Sequence, residues 1–200
     1  MAFSDFTLVN VKQQFGLTLH EAPHLFQSID SVPISENLQK TLEDNTILAL
    51  ASNTEKARSE MLITPILIEL RRLLNNQISF FSGISFNVDP DQGLNGNCDY
   101  IISRSSELLF LNSPVITLVE AKKEDLNLGL GQCLAEMIAA QIFNQQNNQE
   151  INTIYGVITS GTNWRFLKLV GNDAHIDLSE YYLQDVAKIL GILVHFASPL

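Results

Sequence analysis

The residues best suited to chemistry stand at the end of one apolar stretch, residues 114–124 (PVITLVEAKKE). Its β-branched and apolar residues predict a buried strand that ends in Glu120 and Lys122. Because strand side chains alternate between faces, these two would emerge on one side, about 6.6 Å apart along the strand. A carboxylate and an ammonium are costly to desolvate there unless the site uses them. We therefore expect the chemistry at Glu120 and Lys122, with Lys123 facing the other way.

The composition of the 200-residue chain limits what such a site can serve. With 46% hydrophobic residues, the chain can bury one substantial core, and one domain is the default expectation. No apolar run reaches the roughly 18 residues that a membrane helix needs, and the first residues lack the pattern of a signal peptide. Cys98 and Cys133 are far apart and outside any CxxC pair, so we expect buried free thiols in a reducing cytoplasm and no membrane association.

The charge balance weighs against direct binding to nucleic acid. The chain has 12 Lys and Arg against 22 Asp and Glu, a net charge of −10, and no basic cluster longer than a pair. Affinity for phosphate backbones comes largely from Lys and Arg. A nucleic-acid function would therefore call for a partner protein that supplies a basic surface.

A second pattern, His20-Glu21-Ala22-Pro23-His24, has the spacing that places two imidazoles on one face of a helix in zinc proteases. That geometry requires a helix interior. Pro23 lies between the histidines and disrupts helical bonding by about 3 kcal/mol. We therefore interpret this pattern as accidental.

The elements that must position Glu120 and Lys122 follow from apolar periodicity and turn residues. Helices are predicted at 6–15, at 35–51 with Ser35 as N-cap, from 53 or 54 to 73 with a kink or break at Pro65, from 127 or 129 to 146, and at 179–196. Strands are predicted at 78–88, 98–102, 107–112 as a short edge, 115–120, 153–159 and 164–170. The closely spaced strands before residue 121 favour an antiparallel meander.

Further polar residues fall at defined places on these elements. Glu60 lies on the long helix, where it either faces solvent or pairs with Lys56 one turn earlier. Asp99 opens the strand at 98–102, and Gln132 lies near the start of the helix after Lys122.

This ordered set resembles the PD-(D/E)XK nuclease superfamily, the restriction-endonuclease-like fold. It is most similar to the branch that contains the nuclease domain of type I restriction R subunits and related small standalone proteins. The resemblance spans about residues 53–170 and is carried by Glu60, Asp99-Tyr100, Glu120-Ala121-Lys122, Gln132 and the stretch 156–166 (GVITSGTNWRF). Glu-x-Lys alone is common, but the whole set in this order is much rarer by chance.

The resemblance implies a fold and a domain layout. The fold is α/β (α+β), with a helix–three strands–helix–strand core, a mixed central sheet flanked by helices, an extra hairpin strand and a C-terminal helix. A single domain would then comprise an N-terminal helical extension at 1–52, a nuclease-like core at 53–170 and the C-terminal helix within 171–200.

The resemblance also implies roles for the matching residues. Asp99 and Glu120, with the Ala121 carbonyl and Glu60 directly or through water, would hold Mg²⁺ or Mn²⁺. Lys122 would orient the attacking water or stabilise the developing anion, and Gln132 would position Lys122 or the substrate. The implied activity is metal-dependent endonucleolytic hydrolysis of nucleic acid, foremost DNA, in restriction, repair or defence. A homodimer is left open.

Two departures from the family pattern affect the site. A literal Pro90-Asp91 makes Asp91 a competitor of Asp99, and we prefer Asp99 because Asp91 lies in turn-forming sequence. Some relatives have Tyr four residues after the helix Gln, where this chain has Glu136, which we expect to add negative charge. Glu124 and Asp125 fit the solvated first turn of the following helix.

Two hypotheses of different class follow. The complete set Glu60, Asp99, Glu120 and Lys122 favours a metal-dependent nuclease, since a decayed site would tolerate the loss of any of them. The acidic composition favours a nuclease-fold protein without useful activity that serves as a binding or regulatory module. A metal-binding protein without a nucleic-acid role is a third and weaker alternative.

Overall fold

The computed structural model describes residues 1–123 and 125–198. The α-helices are α1 (Leu8–Phe15), α2 (Glu36–Ser52), α3 (Glu55–Arg58), α4 (Thr64–Leu73), α5 (Leu130–Gln146) and α6 (Val186–Ala197), and a π-helical segment at Ser59–Ile63 joins α3 to α4. The strands are β1 (Thr18–Ala22), β2 (Ser79–Ser85), β3 (Asn97–Ser103), β4 (Val115–Ala121), β5 (Thr153–Thr159), β6 (Asn163–Val170), β7 (Asp173–Asp177) and β8 (Tyr181–Tyr182).

The strands form one mixed sheet with the order β1-β7-β6-β5-β4-β3-β2, and β8 pairs with β6. The predicted meander is confirmed, because β2, β3 and β4 pair antiparallel. After α5 the chain returns as β5, which lies parallel to β4, and β1 is parallel to β7 at the far edge. The protein is therefore mixed α/β, as predicted at this level.

Helices cover both faces of the sheet and bury a separate apolar core on each. On one face, residues of α2, α4 and α6 pack against side chains such as Tyr100, Val119 and Trp164. On the other face, α1 and α5 pack against residues that include Ile101 and Leu118. Because β4 is buried along its whole length between these layers, any polar side chain at its end is drawn out of water.

The helix that we predicted to kink or break at Pro65 continues through it as α4, and its departure from α geometry is the π-helical segment that ends at Ile63. Pro65 has no N–H to donate to the carbonyl of Met61. The side-chain amide of Asn45 on α2 donates to that carbonyl at 3.0 Å instead. Just before the proline, the Thr64 N–H bonds to the Ser59 carbonyl, five residues back, which is the π-helical pattern.

Several predictions about the periphery are wrong. Residues 1–52 are not purely helical, because β1 lies among them, and residues 171–200 contain β7 and β8 before the last helix. That helix begins at Val186 and not at Ser179. Residues 107–112 form a loop and no strand, closed by a 2.6 Å hydrogen bond from Asn112 to the Glu107 carboxylate.

The His-Glu-x-x-His pattern does not form a helix, as predicted from Pro23. Its first three residues end β1, and His24 has a left-handed backbone with φ of 63°. His20 contacts Asp173 at 2.9 Å and stacks on His175. His24 bonds instead to the Ser179 hydroxyl, so the two imidazoles of the pattern have different partners.

Two remaining expectations concern burial. Cys98 and Cys133 are free and buried, as predicted. The segment Leu126–Gln146 contains an 18-residue window that is apolar enough to cross a membrane by length and composition alone, but 67% of that window is buried inside the protein. Such burial is typical of a core helix.

Candidate functional site

The site is built where β3 begins and β4 ends. These neighbouring strands are antiparallel, with Tyr100 opposite Val119, so Asp99 lies next to the C-terminal end of β4. There the Asp99 carboxylate accepts a 2.8 Å hydrogen bond from the Ala121 N–H. The bond fixes this carboxylate beside the backbone of Ala121, one residue after Glu120.

Glu120 and Lys122 contact each other, as their spacing predicted. Lys122 Nζ lies 2.5 Å from Glu120 Oε1, and the Lys122 N–H extends the pairing of β4 with β5 by a 2.7 Å bond to the Thr159 carbonyl. Glu120 is only 2% exposed, whereas the Lys122 side chain is 22% exposed and reaches solvent. The ion pair therefore connects the core to the surface at the end of β4.

Gln132 on α5 bridges this pair. Its amide nitrogen donates to Glu120 at 2.8 Å, and its amide oxygen accepts from Lys122 at 3.3 Å. The helix can lie this close because Gly156 on β5 has no side chain. A Cβ there would meet the sulfur atoms of Met137 and Cys133 at 2.5 and 2.8 Å.

Burial shifts the acidity of the two site carboxyls in the same direction. Burial and the nearby charge of Asp99 raise the pKa of Glu120 to about 7, although Lys122 opposes the shift. Burial also raises the pKa of Asp99, against the lowering effects of the Ala121 hydrogen bond and Lys122. Both carboxyl groups thus lose solvation by burial, and the cation nearby, Lys122, does not compensate for the charge of both.

Lys122 remains a cation in this setting. Burial alone would lower the pKa of its ammonium, but the charge and hydrogen bond of Glu120 outweigh burial and raise the pKa. The side chain also packs against Gly129, where a Cβ would lie 3.3 Å from two of its carbons. The ammonium is therefore both charged and held in place.

Glu136, which we expected to add negative charge, lies in a setting that disfavours its ionisation. It lies on α5 one turn after Gln132, whose amide donates to it at 3.1 Å, and it is fully buried. Burial, together with the charge of Glu120, raises its pKa well above the ordinary value of 4.5. Ionisation of Glu136 is therefore disfavoured by both burial and the charge of Glu120.

Glu60 lies apart from the paired carboxylates. Its side chain is 62% exposed and 3.7 Å from Lys56, the pair that we proposed as an alternative role. It lines a cleft of about 380 Å³ that also includes Glu55, Ser82, Gly83 and Asp99. Glu55 was not singled out from the sequence, yet its charge acts on both Glu120 and Lys122. Its signal was its position at the start of the helix that carries Glu60.

The competing acid lies elsewhere. Asp91 is exposed in a 3₁₀ turn at Pro90–Gln92, and its carboxylate bonds to none of the described groups of the site. Glu124 lies outside the described residues. Asp125 caps the 3₁₀ turn Leu126–Gly129 by accepting from the Asn127 N–H, in agreement with its interpretation as a residue of the first turn.

The donor set suits a hard cation with few protein ligands. Within residues 1–123 and 125–198, no three His, Cys, Asp or Glu side chains form a group arranged to hold a metal ion. Mg²⁺, however, is usually bound by one or two carboxylates and several waters. Asp99 and Glu120 are two such carboxylates, and their raised pKa values indicate negative charge that a cation would stabilise.

No protein-family model matches the chain, and no curated protein matches it significantly. The function must therefore be inferred from the site itself.

Proposed function

We propose that this protein is a Mg²⁺- or Mn²⁺-dependent nuclease of the PD-(D/E)XK type, which hydrolyses phosphodiester bonds of nucleic acid. The observation that carries the proposal is the junction of Asp99, Glu120, Lys122 and Gln132, which come from β3, β4 and α5. The order α3–α4, β2, β3, β4, α5, β5 supports the proposal, because it is the order of helices and strands that the resemblance implies.

Each residue of the junction has a role in this proposal. Asp99 and Glu120 would hold the metal ion with the Ala121 carbonyl, and Glu60 would contribute through water from across the cleft. When bound, the ion would lower the pKa of a coordinated water and neutralise charge on the phosphate. Lys122 reaches solvent as an ammonium, so it can hold the attacking water or donate to the developing anion.

Gln132 would hold the metal-binding carboxylate of Glu120 and the ammonium of Lys122 in a fixed arrangement. Its amide donates to Glu120 and accepts from Lys122, so it fixes the distance between the carboxylate and the ammonium. Its nitrogen also donates to Glu136, which fixes the orientation of the amide. The reacting groups are thereby held before a substrate arrives, which reduces the reorganisation that the reaction requires.

A second candidate, a nuclease-fold protein that binds without cleaving, is favoured by the charge of the cleft. Three carboxylates line it, those of Glu55, Glu60 and Asp99, and Lys56 in the same lining already lies beside Glu60. A phosphate backbone would meet unfavourable potential there unless a metal ion or a basic partner compensates.

Cleavage by the full chain tests the first candidate. We would incubate it with Mg²⁺ or Mn²⁺ and end-labelled single-stranded DNA, duplex DNA or RNA. We expect cleavage that falls by about 10²- to 10³-fold or more in Asp99→Ala, Glu120→Ala and Lys122→Ala.

Asp91→Ala is the matched control, because it removes an exposed aspartate outside the site and should leave the rate unchanged. No cleavage of any substrate with either metal, or activity that survives all three site substitutions, would contradict the nuclease proposal. Binding of nucleic acid without cleavage would support the second candidate.

A further inference from the structure

Tyr100, the residue after Asp99 on β3, connects that strand to the opposite wall of the cleft. It is 2% exposed, and its hydroxyl donates to the Ser59 carbonyl at 3.1 Å. The same hydroxyl lies 2.9 Å from the Thr64 hydroxyl. Both partners belong to the distorted helix that carries Glu55 and Glu60.

The hydroxyl forms a complete chain of hydrogen bonds. Burial raises the pKa of the Tyr100 phenol, so the phenol keeps its proton. It donates this proton in the hydrogen bond to the Ser59 carbonyl. Thr64 can then donate its own hydroxyl proton to the Tyr100 oxygen. Both hydroxyls therefore have hydrogen-bond partners within the protein.

The bond is made at the point where the helix departs from α geometry. The Ser59 carbonyl already accepts from the Thr64 N–H, which closes the π turn next to Pro65. A π turn within an α-helix is rare and is frequently found at functional sites. Tyr100 therefore bonds to the π turn, and the wider geometry of that turn determines the positions of the helical residues before it.

We propose that Tyr100 is a positioning residue of the nuclease site, which fixes the π turn and thereby sets Glu55 and Glu60 at a defined distance from Asp99. The inference rests on the proposed function. Because Asp99 and Tyr100 are adjacent in β3, this strand carries both a candidate metal ligand and the residue that bonds to the helix on the other side of the cleft.

A second tie allows this role to be tested in a folded protein. Arg58 donates to the Ser160 carbonyl at 3.0 Å and so fastens the same helix to the turn after β5. Loss of the Tyr100 hydroxyl alone should therefore loosen the π turn without detaching the helix. The aromatic ring would stay in the core that it shares with Ile66 and Val119.

Hydrogen exchange tests the structural half of the inference. In Tyr100→Phe, we expect amides of residues 59–64 to exchange about tenfold faster than in the unmodified protein. Tyr155→Phe is the matched control, because the Tyr155 hydroxyl makes no hydrogen bond with any residue the structure describes, and exchange at 59–64 should stay unchanged. Equal exchange in Tyr100→Phe would overturn the inference.

Kinetics test the catalytic half. We expect Tyr100→Phe to lower kcat by about ten- to a hundredfold with KM for DNA nearly unchanged. The reason is that the hydroxyl positions the helix with Glu55 and Glu60 and does not itself bind DNA. Thr64→Ser keeps the hydroxyl and should retain kcat, whereas Thr64→Val should lower it. A purely structural role would lower the melting temperature of Tyr100→Phe but leave kcat of the folded protein unchanged, and that result would also overturn the inference.

The two failures are distinguishable. If the unmodified protein cleaves no substrate, the proposed function fails, and the catalytic role of Tyr100 fails with it. If the unmodified protein cleaves and Tyr100→Phe cleaves equally well, the nuclease proposal stands and only the inference about Tyr100 is refuted.

Discussion

Glu69 on α4 and Glu120 on β4 are both buried, at 4% and 2% exposure, and each contacts one cation. Glu69 receives two hydrogen bonds from Arg72, at 2.9 and 2.6 Å, and two from Ser35, at 2.9 and 3.0 Å. The Arg72 bonds, with those of Ser35, lower the pKa of Glu69 despite its burial.

Glu120 has the opposite balance. It contacts Lys122 and Gln132, but burial and the nearby charge of Asp99 outweigh Lys122 and raise its pKa to about 7. Glu69 is therefore stabilised as an anion by four hydrogen bonds, whereas the cation beside Glu120 does not compensate for its burial and for the charge of Asp99. Shifts of the second kind are concentrated at functional sites, whereas the first kind holds elements together.

The largest contrast should come from cation binding as a function of pH. A metal ion requires ionised Glu120, so affinity for Mn²⁺ should fall about tenfold for each pH unit below about 7, or a hundredfold over two units. Titration with Mn²⁺ followed by paramagnetic resonance would measure it. Glu69→Gln should leave this profile unchanged, and a profile that is flat between about pH 5 and 8 would remove the distinction between the two glutamates.

Next in size should be the loss of stability on Glu69→Gln. The amide cannot accept the four hydrogen bonds that the carboxylate accepts, and Ser35 is the N-cap of α2. We expect a loss of about 1–3 kcal/mol in the free energy of unfolding, mostly from Ser35 because Arg72 is 57% exposed. Urea unfolding measures it, with cleavage by the folded protein retained. Glu43→Gln, on the exposed surface of α2, is the control.

A smaller effect of opposite sign should follow from Glu136→Gln. The folded protein holds the Glu136 proton well above pH 4.5, where the unfolded chain releases it, so the free energy of unfolding falls as pH rises through this window. Gln keeps the acceptor for Gln132 but does not titrate. We expect the variant to gain about 1–2 kcal/mol near pH 8 and nothing near pH 4.5, by urea unfolding. A gain that is independent of pH would show that folding does not raise the pKa of Glu136.

The smallest effect should come from the exposed pair on the cleft rim. Lys56 and Glu60 are 83% and 62% exposed and 3.7 Å apart, so Lys56→Ala should leave the urea midpoint unchanged within error. A clear loss of stability would mean that the Lys56–Glu60 pair stabilises the fold, as the contacts of Glu69 do.

The sequence predicted those elements whose patterns are complete in themselves. Residues 153–159 form β5 as predicted because β-branched and apolar residues are bounded by a turn at Gly161. The strand β1, with the sequence Thr-Leu-His-Glu-Ala, has no such pattern and exists because β7 pairs with it. Short polar strands of this kind depend on partners far along the chain, which local patterns do not report.

The same division applies to the site. The spacing of Glu120 and Lys122 was sufficient to predict that they meet, because alternation along a strand is local. The raised pKa of Glu136 could not be predicted, because it depends on burial by other elements and on the charge of Glu120. Tyr100 was noted only as the neighbour of Asp99, and its contact with Ser59 joins residues 41 positions apart.

The hydrogen bond from Asn45 to the Met61 carbonyl bears on how separable the parts of this chain are. Asn45 belongs to α2, outside the span 53–170 that the family resemblance covers. A fragment that began at residue 53 would leave the carbonyl opposite Pro65 without its donor, next to the turn that Tyr100 holds. Residues 36–52 thus stabilise a helix that lacks one of its own hydrogen bonds at the proline, and they pack in the same core as α4 although the resemblance does not cover them.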